Sequence, residues 1–329
     1  MLGTLQRSWD KNWPELRAAL RGELPGFVLS PDPEPLDGAL PVFCYHVVEP
    51  ASLEADLRFL EHNGYTTLNA DQVVAHLRGQ WRAPNNAVVL TFDDAPANLY
   101  KAAYPSLLKH GMVAIVFVAG AFPIESDAPD HRDSMSSNEN GNGYHPARHV
   151  KRNGHGSGTG VDGDPRRPVT WQELQTMEAS GLVDVQCHTY QHRYVPRWPE
   201  PRPLTGVDPV WVESRRSPTL SLSGDLVLGR RILERRLNKT VRHLALPDYD
   251  GTPEALRLVH RLGYRSCWWG LCPGRALNRP GQSPYRIVRL SGEFVRRLPG
   301  EGRRPLGEIF RQRYGASLRR WVTPRSGRD

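Results

Sequence analysis

One strand-like run constrains the fold of this chain more than any other feature, because it ends on two adjacent carboxylates. An apolar run at 88–90 is followed by Thr91, Phe92, Asp93 and Asp94. Runs of β-branched and apolar residues favour buried strands, whereas a buried carboxylate is costly unless a metal ion or a hydrogen-bond network compensates it. The run therefore predicts a core strand that ends, at Asp93 and Asp94, in a polar site.

Strand-like and helix-like segments alternate along most of the chain. Apolar runs predict strands, and segments with apolar residues at helical spacing, bounded by Asn, Thr or Gly, predict helices. The predicted strands cover 41–48, 87–92, 113–118, 182–192, 264–270 and 285–290, and the predicted helices cover 13–22, 52–65, 69–79, 97–111, 170–181, 225–238 and 252–263. This alternation indicates an α/β architecture with a largely parallel sheet.

Two segments interrupt the alternation and carry few bulky apolar residues. Residues 124–168 are rich in Asp, Ser, Asn, Gly and His, and residues 193–220 form a second polar, proline-rich stretch. Neither can bury enough apolar surface to fold by itself, so both are predicted to be long polar loop insertions. We therefore expect an N-terminal helix and linker at 1–40, one domain at 41–292, and a basic extension at 293–329.

Composition and charge favour a globular protein over a membrane-spanning one. Hydrophobic residues make up 39% of the 329 residues, and no apolar run is long enough to cross a bilayer. The first residues carry early charges and no apolar h-region, so we expect a cytoplasmic location, with the membrane face as an alternative. The formal charge of +8 would suit anionic partners. For the arginines after residue 293, a solvated surface is favoured over nucleic-acid or membrane binding.

A second predicted strand also ends in unusual groups, His188 and His192. The carboxyl ends of parallel strands meet at one face, so these histidines are expected to converge with Asp93 and Asp94. Histidines four residues apart place both imidazoles on one side of a helical turn. Two imidazoles and one carboxylate form a ligand set that leaves positions open on a divalent metal, as in catalytic sites. The second aspartate would then be free as a base; in the alternative interpretation, the aspartates cap a helix and the histidines are ordinary loop residues.

The two motifs together resemble those of a known enzyme family. Thr-Phe-Asp-Asp at 91–94 and His-Thr-Tyr-Gln-His at 188–192 are similar to the first two motifs of the polysaccharide deacetylases, the NodB-like family 4 carbohydrate esterases. Weaker similarity extends from Pro41 to Leu290. The resemblance implies an irregular (β/α)7 barrel of the NodB type. It also implies a hydrolase that removes an N-acetyl, or similar acyl, group from an amino sugar or glycoconjugate.

The resemblance implies roles for single residues as well. Asp94, His188 and His192 would bind the metal, with zinc expected and nickel, cobalt or manganese as alternatives. Asp93 would be the catalytic base. The predicted substrate-binding residues are Pro247, Trp269 and Arg286.

Two departures from the family pattern bear on catalysis. In the third motif, often Pro-Tyr-Gly, the additional residue Asp248 separates the proline from Tyr249. No histidine follows His260, so the late histidine that serves as the acid in many members is missing. His46 is the candidate acid or partner of Asp93, and Tyr249 is the third catalytic candidate, through the oxyanion contact that the family attributes to its backbone.

Two other functions stay open. A cytosolic hydrolase could use the same fold and metal on the C–N bond of a small amide or imide. A catalytically degenerate protein could keep the fold for carbohydrate binding, although such a protein would have no need of Asp93. Among substrates, an anionic or lipid-linked sugar would suit the positive charge, and nucleic acid is not an expected partner.

Overall fold

The computed structural model describes residues 14–46, 48–125, 167–192, 221–249, 251–272 and 275–322. The predicted loop at 193–220, and nearly all of the one at 124–168, lie outside the described residues. Within the described ranges, no helix combines the length and the apolar character that crossing a bilayer requires.

A parallel sheet of eight strands forms the centre of the fold. The strands are β1 (Val42–Tyr45), β2 (Thr66–Thr67), β3 (Ala87–Asp93), β4 (Ala114–Val118), β5 (Val183–Cys187), β6 (His243–Ala245), β7 (Ser266–Trp268) and β8 (Leu290–Ser291). Their order is β7-β6-β5-β4-β3-β1-β8, and β2 pairs with β3. Because all the pairings are parallel, the carboxyl ends of the strands lie at the same end of the sheet.

Helices cover the sheet at most of the predicted positions. They are α1 (Pro14–Leu20), α2 (Gly26–Leu29), α3 (Pro50–His62), α4 (Ala70–Leu77), α5 (Tyr104–His110), α6 (Trp171–Ala179), α7 (Leu222–Leu237), α8 (Pro253–Arg261) and α9 (Leu306–Val322). Capping boxes start α4, at Asn69 and Gln72, and α6, at Thr170 and Glu173. Each box satisfies two backbone N–H groups that the first helical turn leaves without partners, which explains why these helices begin where the sequence predicts.

Strand β3 lies in the middle of the sheet and is buried along its whole length. It pairs with β1 through Cys44 and Thr91, and with β4 through Asp93 and Phe117. The apolar run thus forms the predicted core strand. This register brings the ends of β1, β3 and β4 together, next to the end of β5.

The predicted strand at 285–290 is wrong over most of its length. Pro284–Arg286 forms a 3₁₀ turn, Ile287 makes a single parallel bridge to Trp268 of β7, and Leu290–Ser291 pairs with β1. The proline fixes its own φ and has no N–H to donate to a ladder, and the Ser283 hydroxyl accepts a hydrogen bond from the Tyr285 N–H (3.2 Å), which stabilises the turn.

The two ends of the described chain pack together on the barrel. Phe27 and Val28 of α2 belong to the same buried core as Phe294, Leu298 and Ile309. Polar contacts link these segments as well, because the Arg297 guanidinium donates to the Val28 carbonyl (2.9 Å). The predicted domain boundaries at residues 40 and 292 stay a prediction, and the segments on both sides of them share one core.

Candidate active site

The two aspartates face the same site because the backbone turns sharply at the end of β3. Asp93 is the last residue of the strand and is 1% exposed. Asp94 and Ala95 then adopt left-handed conformations, with φ of 67° and 43°. Non-glycine residues seldom take up this conformation. In a regular strand, neighbouring side chains point to opposite faces of the sheet. The left-handed turn at Asp94 interrupts this pattern, so both carboxylates lie at the carboxyl end of the sheet.

The two histidines converge through an irregular turn, not through the helical turn that their spacing suggested. Thr189 and His192 have positive φ values of 68° and 53°. The Thr189 hydroxyl accepts a hydrogen bond from the His192 N–H (3.0 Å). The expected convergence is therefore present, but the helical explanation is wrong, because β5 ends at Cys187 and no helix follows directly.

A buried carboxylate on α7 holds this turn in place, and the sequence had not indicated it. Asp225 accepts hydrogen bonds from the backbone N–H groups of Tyr190 (3.0 Å) and Gln191 (2.9 Å). The helix approaches so closely that a Cβ at Gly229 would lie 2.6 Å from the Thr189 carbonyl oxygen. Asp225 therefore holds the loop that carries His192 by hydrogen bonds, and Gly229 allows the helix to approach this loop.

Three donor atoms meet at this turn in an arrangement that fits a divalent cation. The Nε2 atoms of His188 and His192 are 3.0 Å apart, and they lie 3.7 Å and 3.1 Å from Oδ1 of Asp94. Metal–ligand bonds of about 2.1 Å would separate ligands by roughly 3.0 Å in octahedral and 3.4 Å in tetrahedral geometry. The spacing thus suits either coordination, and Asp94 Oδ1 is buried without a hydrogen-bond partner in the described part of the chain.

The protonation states of the histidines also suit ligation. His188 Nδ1 donates a hydrogen bond to the Ala245 carbonyl (2.9 Å), so in the neutral ring the lone pair is on Nε2, toward Asp94. Burial lowers the pKa of both His188 and His192 to about 4, and the neutral imidazole is the form that binds metals. Burial raises the pKa of Asp94, a cost that a bound cation would offset.

Asp93 is engaged differently, in a fully buried ion pair with Arg289. Arg289 Nη1 and Nη2 donate to Oδ1 (2.7 Å) and Oδ2 (2.9 Å) of Asp93, and Nε donates to the Trp269 carbonyl (3.0 Å). Burial alone would raise the pKa of Asp93, but the guanidinium holds it well below its usual range. Sequence reasoning missed Arg289; of the two arginines in this segment it named only Arg286, and as a substrate-binding residue.

His46 and Tyr249 also lie beside Asp93. His46 Nε2 is 3.8 Å from Asp93 Oδ2, and the Tyr249 hydroxyl lies 3.0 Å from both ring nitrogens of His46. Burial acts to lower the pKa of His46, but the Cys44 sulfur, followed by the carboxylates of Asp93 and Asp94, raises it to about 9. The side chain is 41% exposed, so this imidazole can be reached from solvent.

Cys44, His46 and Asp93 also bring metal-ligand atoms within 4.8 Å of one another. Both oxygens of Asp93 already accept hydrogen bonds from Arg289. A cation at this second group would have to face the guanidinium, and the like charges would repel each other. The group at Asp94, His188 and His192 is therefore the better cation site.

The third motif folds so that the side chain of Tyr249 faces the site. Asp248 and Tyr249 have positive φ values of 54° and 64°. The Tyr249 N–H donates to the Leu246 carbonyl (3.2 Å), so it is used within the turn and does not point free toward an oxyanion. The Tyr249 ring instead lies 5.3 Å from the guanidinium carbon of Arg289. Tyr249 thus meets the other site residues through its phenol.

The predicted substrate-binding residues, Pro247, Trp269 and Arg286, are engaged with neighbouring parts of the chain. Trp269 is 6% exposed, and its indole N–H donates to the Tyr285 carbonyl (2.9 Å), which leaves little ring surface for a sugar. The exposed Arg286 guanidinium lies over the Trp269 ring at 5.6 Å. Pro247 is buried at the start of the turn that carries Tyr249. The substrate-binding assignment of these residues stays a prediction.

Comparison with known proteins places the chain in a family. The family described as polysaccharide deacetylase matches residues 81–267, more than half of the chain. The chain is a member of this family. The matched region contains both aspartates and both histidines of the site, whereas His46 and Arg289 lie outside it. The resemblance predicted from the two motifs is therefore confirmed.

Individual relatives are more distant. The chain is 33% identical over 89 residues to the polysaccharide deacetylase homologue YxkH of Bacillus subtilis (strain 168), a match that covers 25% of this chain and 32% of that protein. The chain therefore matches about a third of the length of this curated relative.

Solved structures share the fold of this polysaccharide deacetylase family member. IcaB from Ammonifex degensii superposes with a TM-score of 0.54 at 22% identity, covering 79% of this chain and 95% of that one. The Streptococcus pyogenes deacetylase PplD, in complex with acetate, gives a TM-score of 0.51 at 18% identity, covering 81% and 100%. At these identities the likeness shows the fold alone, and it confirms the predicted NodB-type barrel.

Proposed function

We propose that this chain is a metal-dependent hydrolase that removes an N-acetyl, or similar acyl, group from an amino sugar or glycoconjugate. The observation that carries the proposal is that a three-donor cation site lies directly beside an ionised carboxylate. His188 Nε2, at the cation site, is 3.9 Å from Oδ2 of Asp93. Hydrolysis of an amide needs a group that polarises the acyl oxygen and a base that accepts a proton from water, and the two must lie within a few ångströms of each other. Membership of the polysaccharide deacetylase family supports the same reaction.

Asp94, His188 and His192 would hold the metal, with zinc as the first choice and nickel, cobalt or manganese as alternatives. A divalent ion bound there would supply Lewis acidity, which lowers the pKa of water and polarises an acyl oxygen. The chain contributes the rigidity of the site, because the Ala245 carbonyl orients His188 and the Asp225 carboxylate orients the loop of His192.

We assign Asp93 the role of proton acceptor from the attacking water. The ion pair with Arg289 keeps its carboxylate ionised, so it can accept a proton at any ordinary pH. The same ion pair makes it a weaker base than a free aspartate. Asp93 is therefore suited to accept a proton from water that is already acidified, and poorly suited to act without the neighbouring cation site.

The departing amine must receive a proton, because an amide anion is a very poor leaving group. His46 is the residue we assign to this step, since its Nε2 lies 3.8 Å from Asp93 Oδ2, the oxygen that His188 also approaches, and its side chain is accessible from solvent. The Tyr249 hydroxyl lies 3.0 Å from the ring nitrogens of His46, closer than the Cys44 sulfur, which lies 3.9 Å from Nδ1. Tyr249 is thus the positioning residue of His46, and this pair takes the place of the missing late histidine.

We expect Tyr249→Phe to lower kcat about tenfold, the effect of losing one hydrogen bond to an acting group, with metal content unchanged. In a His46→Ala background the same substitution should have no further effect, because the phenol acts through His46. Steady-state kinetics on the four combinations measure this coupling. Tyr285→Phe is the matched control, since that phenol donates to the Tyr264 carbonyl (2.8 Å) instead. Additive effects, or a silent Tyr249→Phe, would contradict the assignment.

The proposed function is tested by removing the metal and adding it back. Chelator-treated protein, reloaded with Zn²⁺, should hold about one ion per chain by mass spectrometry and should release acetate from N-acetylglucosamine oligomers. His188→Ala should lose both properties, whereas His110→Ala, a substitution on α5 away from the site, should keep them. Wild-type protein that binds no ion after reloading, or acetate release that persists in His188→Ala, would refute the proposal.

The finer features of substrate and location remain proposals. The formal charge of +8 supports an anionic or lipid-linked sugar over a neutral one. A cytoplasmic location, or one at the membrane face, stays a prediction.

A further inference from the structure

A cavity lies at the opposite end of the sheet from the candidate active site. Its volume is about 450 Å³, and its lining includes Leu40, two residues before β1, and Asn85, two residues before β3. The paired aspartates lie at the other end of β3, so the length of this strand separates the two sites by about 20 Å. The volume is within the range of small-molecule sites, about 300–1,000 Å³.

The charged residues around this cavity favour an anion. Arg82 and Arg279 line it, and Asp37 is the acidic residue of the lining. Burial lowers the pKa of His76, and its Nδ1 accepts a hydrogen bond from the Ala83 N–H (3.1 Å), so this imidazole is neutral. Two arginines less one aspartate leave one net positive charge. Guanidinium groups match the geometry of carboxylate and phosphate oxygens.

One of the arginines is already fixed at the rim. Arg279 Nη1 donates to the Asp37 carbonyl (2.7 Å), and its backbone N–H donates to the Gln282 side chain (2.9 Å). Fixing a side chain before binding reduces the entropy lost when a ligand arrives. The remaining N–H groups of this guanidinium are additional donors.

An aromatic side chain supplies the apolar part of the same cavity. Trp81 is 39% exposed, which is unusual for the largest apolar side chain in a chain that buries most of its aromatic residues. An indole offers a broad flat surface and loses little conformational entropy on binding. Asn85 lies in the same rim and adds both an amide donor and a carbonyl acceptor.

From these features we infer a second ligand site that binds one sugar unit bearing a carboxylate or a phosphate. The Trp81 indole packs against the apolar face of the sugar ring, and Arg82 and Arg279 bind the anionic group. The sugar class is taken from the family of the chain, and the inference does not depend on the proposed deacetylation. Given its distance from the paired aspartates, the site would hold a part of the substrate remote from the reacting group, or a separate saccharide.

The test measures binding of glucuronate, glucose 6-phosphate, glucose and inorganic phosphate to the full chain by saturation-transfer NMR. Dissociation constants for the two anionic sugars should be on the order of 1 mM, and glucose should bind at least tenfold more weakly. Trp81→Ala, and separately the double variant Arg82→Gln/Arg279→Gln, should raise the constants at least tenfold. All of these side chains are exposed, so the variants should melt at the wild-type temperature.

Arg58→Gln is the matched control, because it removes an exposed arginine from α3, which does not line the cavity, and should leave binding unchanged. Acetate release from a monomeric substrate should be the same in all these variants. Anionic sugars that bind the Trp81 and the arginine variants as tightly as the wild type would overturn the inference. The same holds if the wild type binds neither anionic sugar at a concentration about 20-fold above the expected dissociation constant. Phosphate that binds as tightly as glucose 6-phosphate, with no effect of Trp81→Ala, would show a simple anion site and overturn the sugar assignment.

Discussion

Asp93→Asn is expected to lower kcat for acetate release by about 1,000-fold, the contribution of a well-placed general base, with metal content unchanged. The asparagine keeps the shape of the side chain but cannot accept a proton from water. Metal content should not change, because the proposed ligands are Asp94, His188 and His192. Single-turnover kinetics and mass spectrometry on the same preparation measure the two properties together.

The neighbouring aspartate provides the matched comparison. Asp94→Asn should also abolish turnover, but through loss of the ion, because its Oδ1 lies 3.1 Å and 3.7 Å from the two histidine nitrogens. The two substitutions are adjacent and chemically identical, so only their different positions in the site can separate their effects. If Asp93→Asn lost the ion and Asp94→Asn kept it, the two roles would be reversed. A fully active Asp93→Asn would remove the base from the mechanism.

Arg289→Met is expected to destabilise the protein by about 3–5 kcal/mol, the usual cost of removing one partner of a buried ion pair. The Asp93 carboxylate would lose both charge-assisted hydrogen bonds and remain buried beside a methionine. Denaturant unfolding measures the free energy. Arg286→Met is the control, because this arginine is exposed and has no carboxylate partner in the described part of the chain; we expect its effect to stay within about 0.5 kcal/mol.

The double variant Asp93→Asn/Arg289→Met separates the stability of the pair from its catalytic use. Removing both charges together leaves no buried charge uncompensated, so most of the lost stability should return. Acetate release should stay abolished, because the base is still missing. If the double variant were as unstable as the sum of the single ones, the two residues would not be coupled, and the ion pair would not explain the stability effect.

Much of the fold could be predicted because its signals are local. Asn69 and Thr170 are caps whose partners lie three residues ahead, so the helix starts were readable from short segments. The apolar run before Asp93 predicted a core strand for the same reason, since a strand of a parallel sheet that is covered on both faces is apolar along its length. The strand predicted at 285–290 failed because Pro284 and Ser283 favour a turn that competes with the apolar pattern.

The site was predicted in part. The convergence of Asp94, His188 and His192 could be predicted because they belong to two short motifs at the ends of predicted strands, and parallel strands bring such ends together. The prediction that the two histidines converge was correct, but the helical turn offered to explain it was wrong. An irregular turn with positive φ at Thr189 and His192 brings them together. His46 was named as a partner of Asp93, and the structure places the two side chains 3.8 Å apart.

The amino-acid sequence by itself determined the class of fold, the family and the residues that can bind a cation, because each depends on patterns within a few residues of chain. Tertiary structure alone decided that Arg289 and not Arg286 pairs with Asp93, that Asp225 holds the loop of His192, and that Tyr249 meets His46 through its phenol. These contacts join residues 34 to 203 positions apart. Which of two nearby side chains turns inward is set by packing across the whole sheet, and no local pattern contains that information.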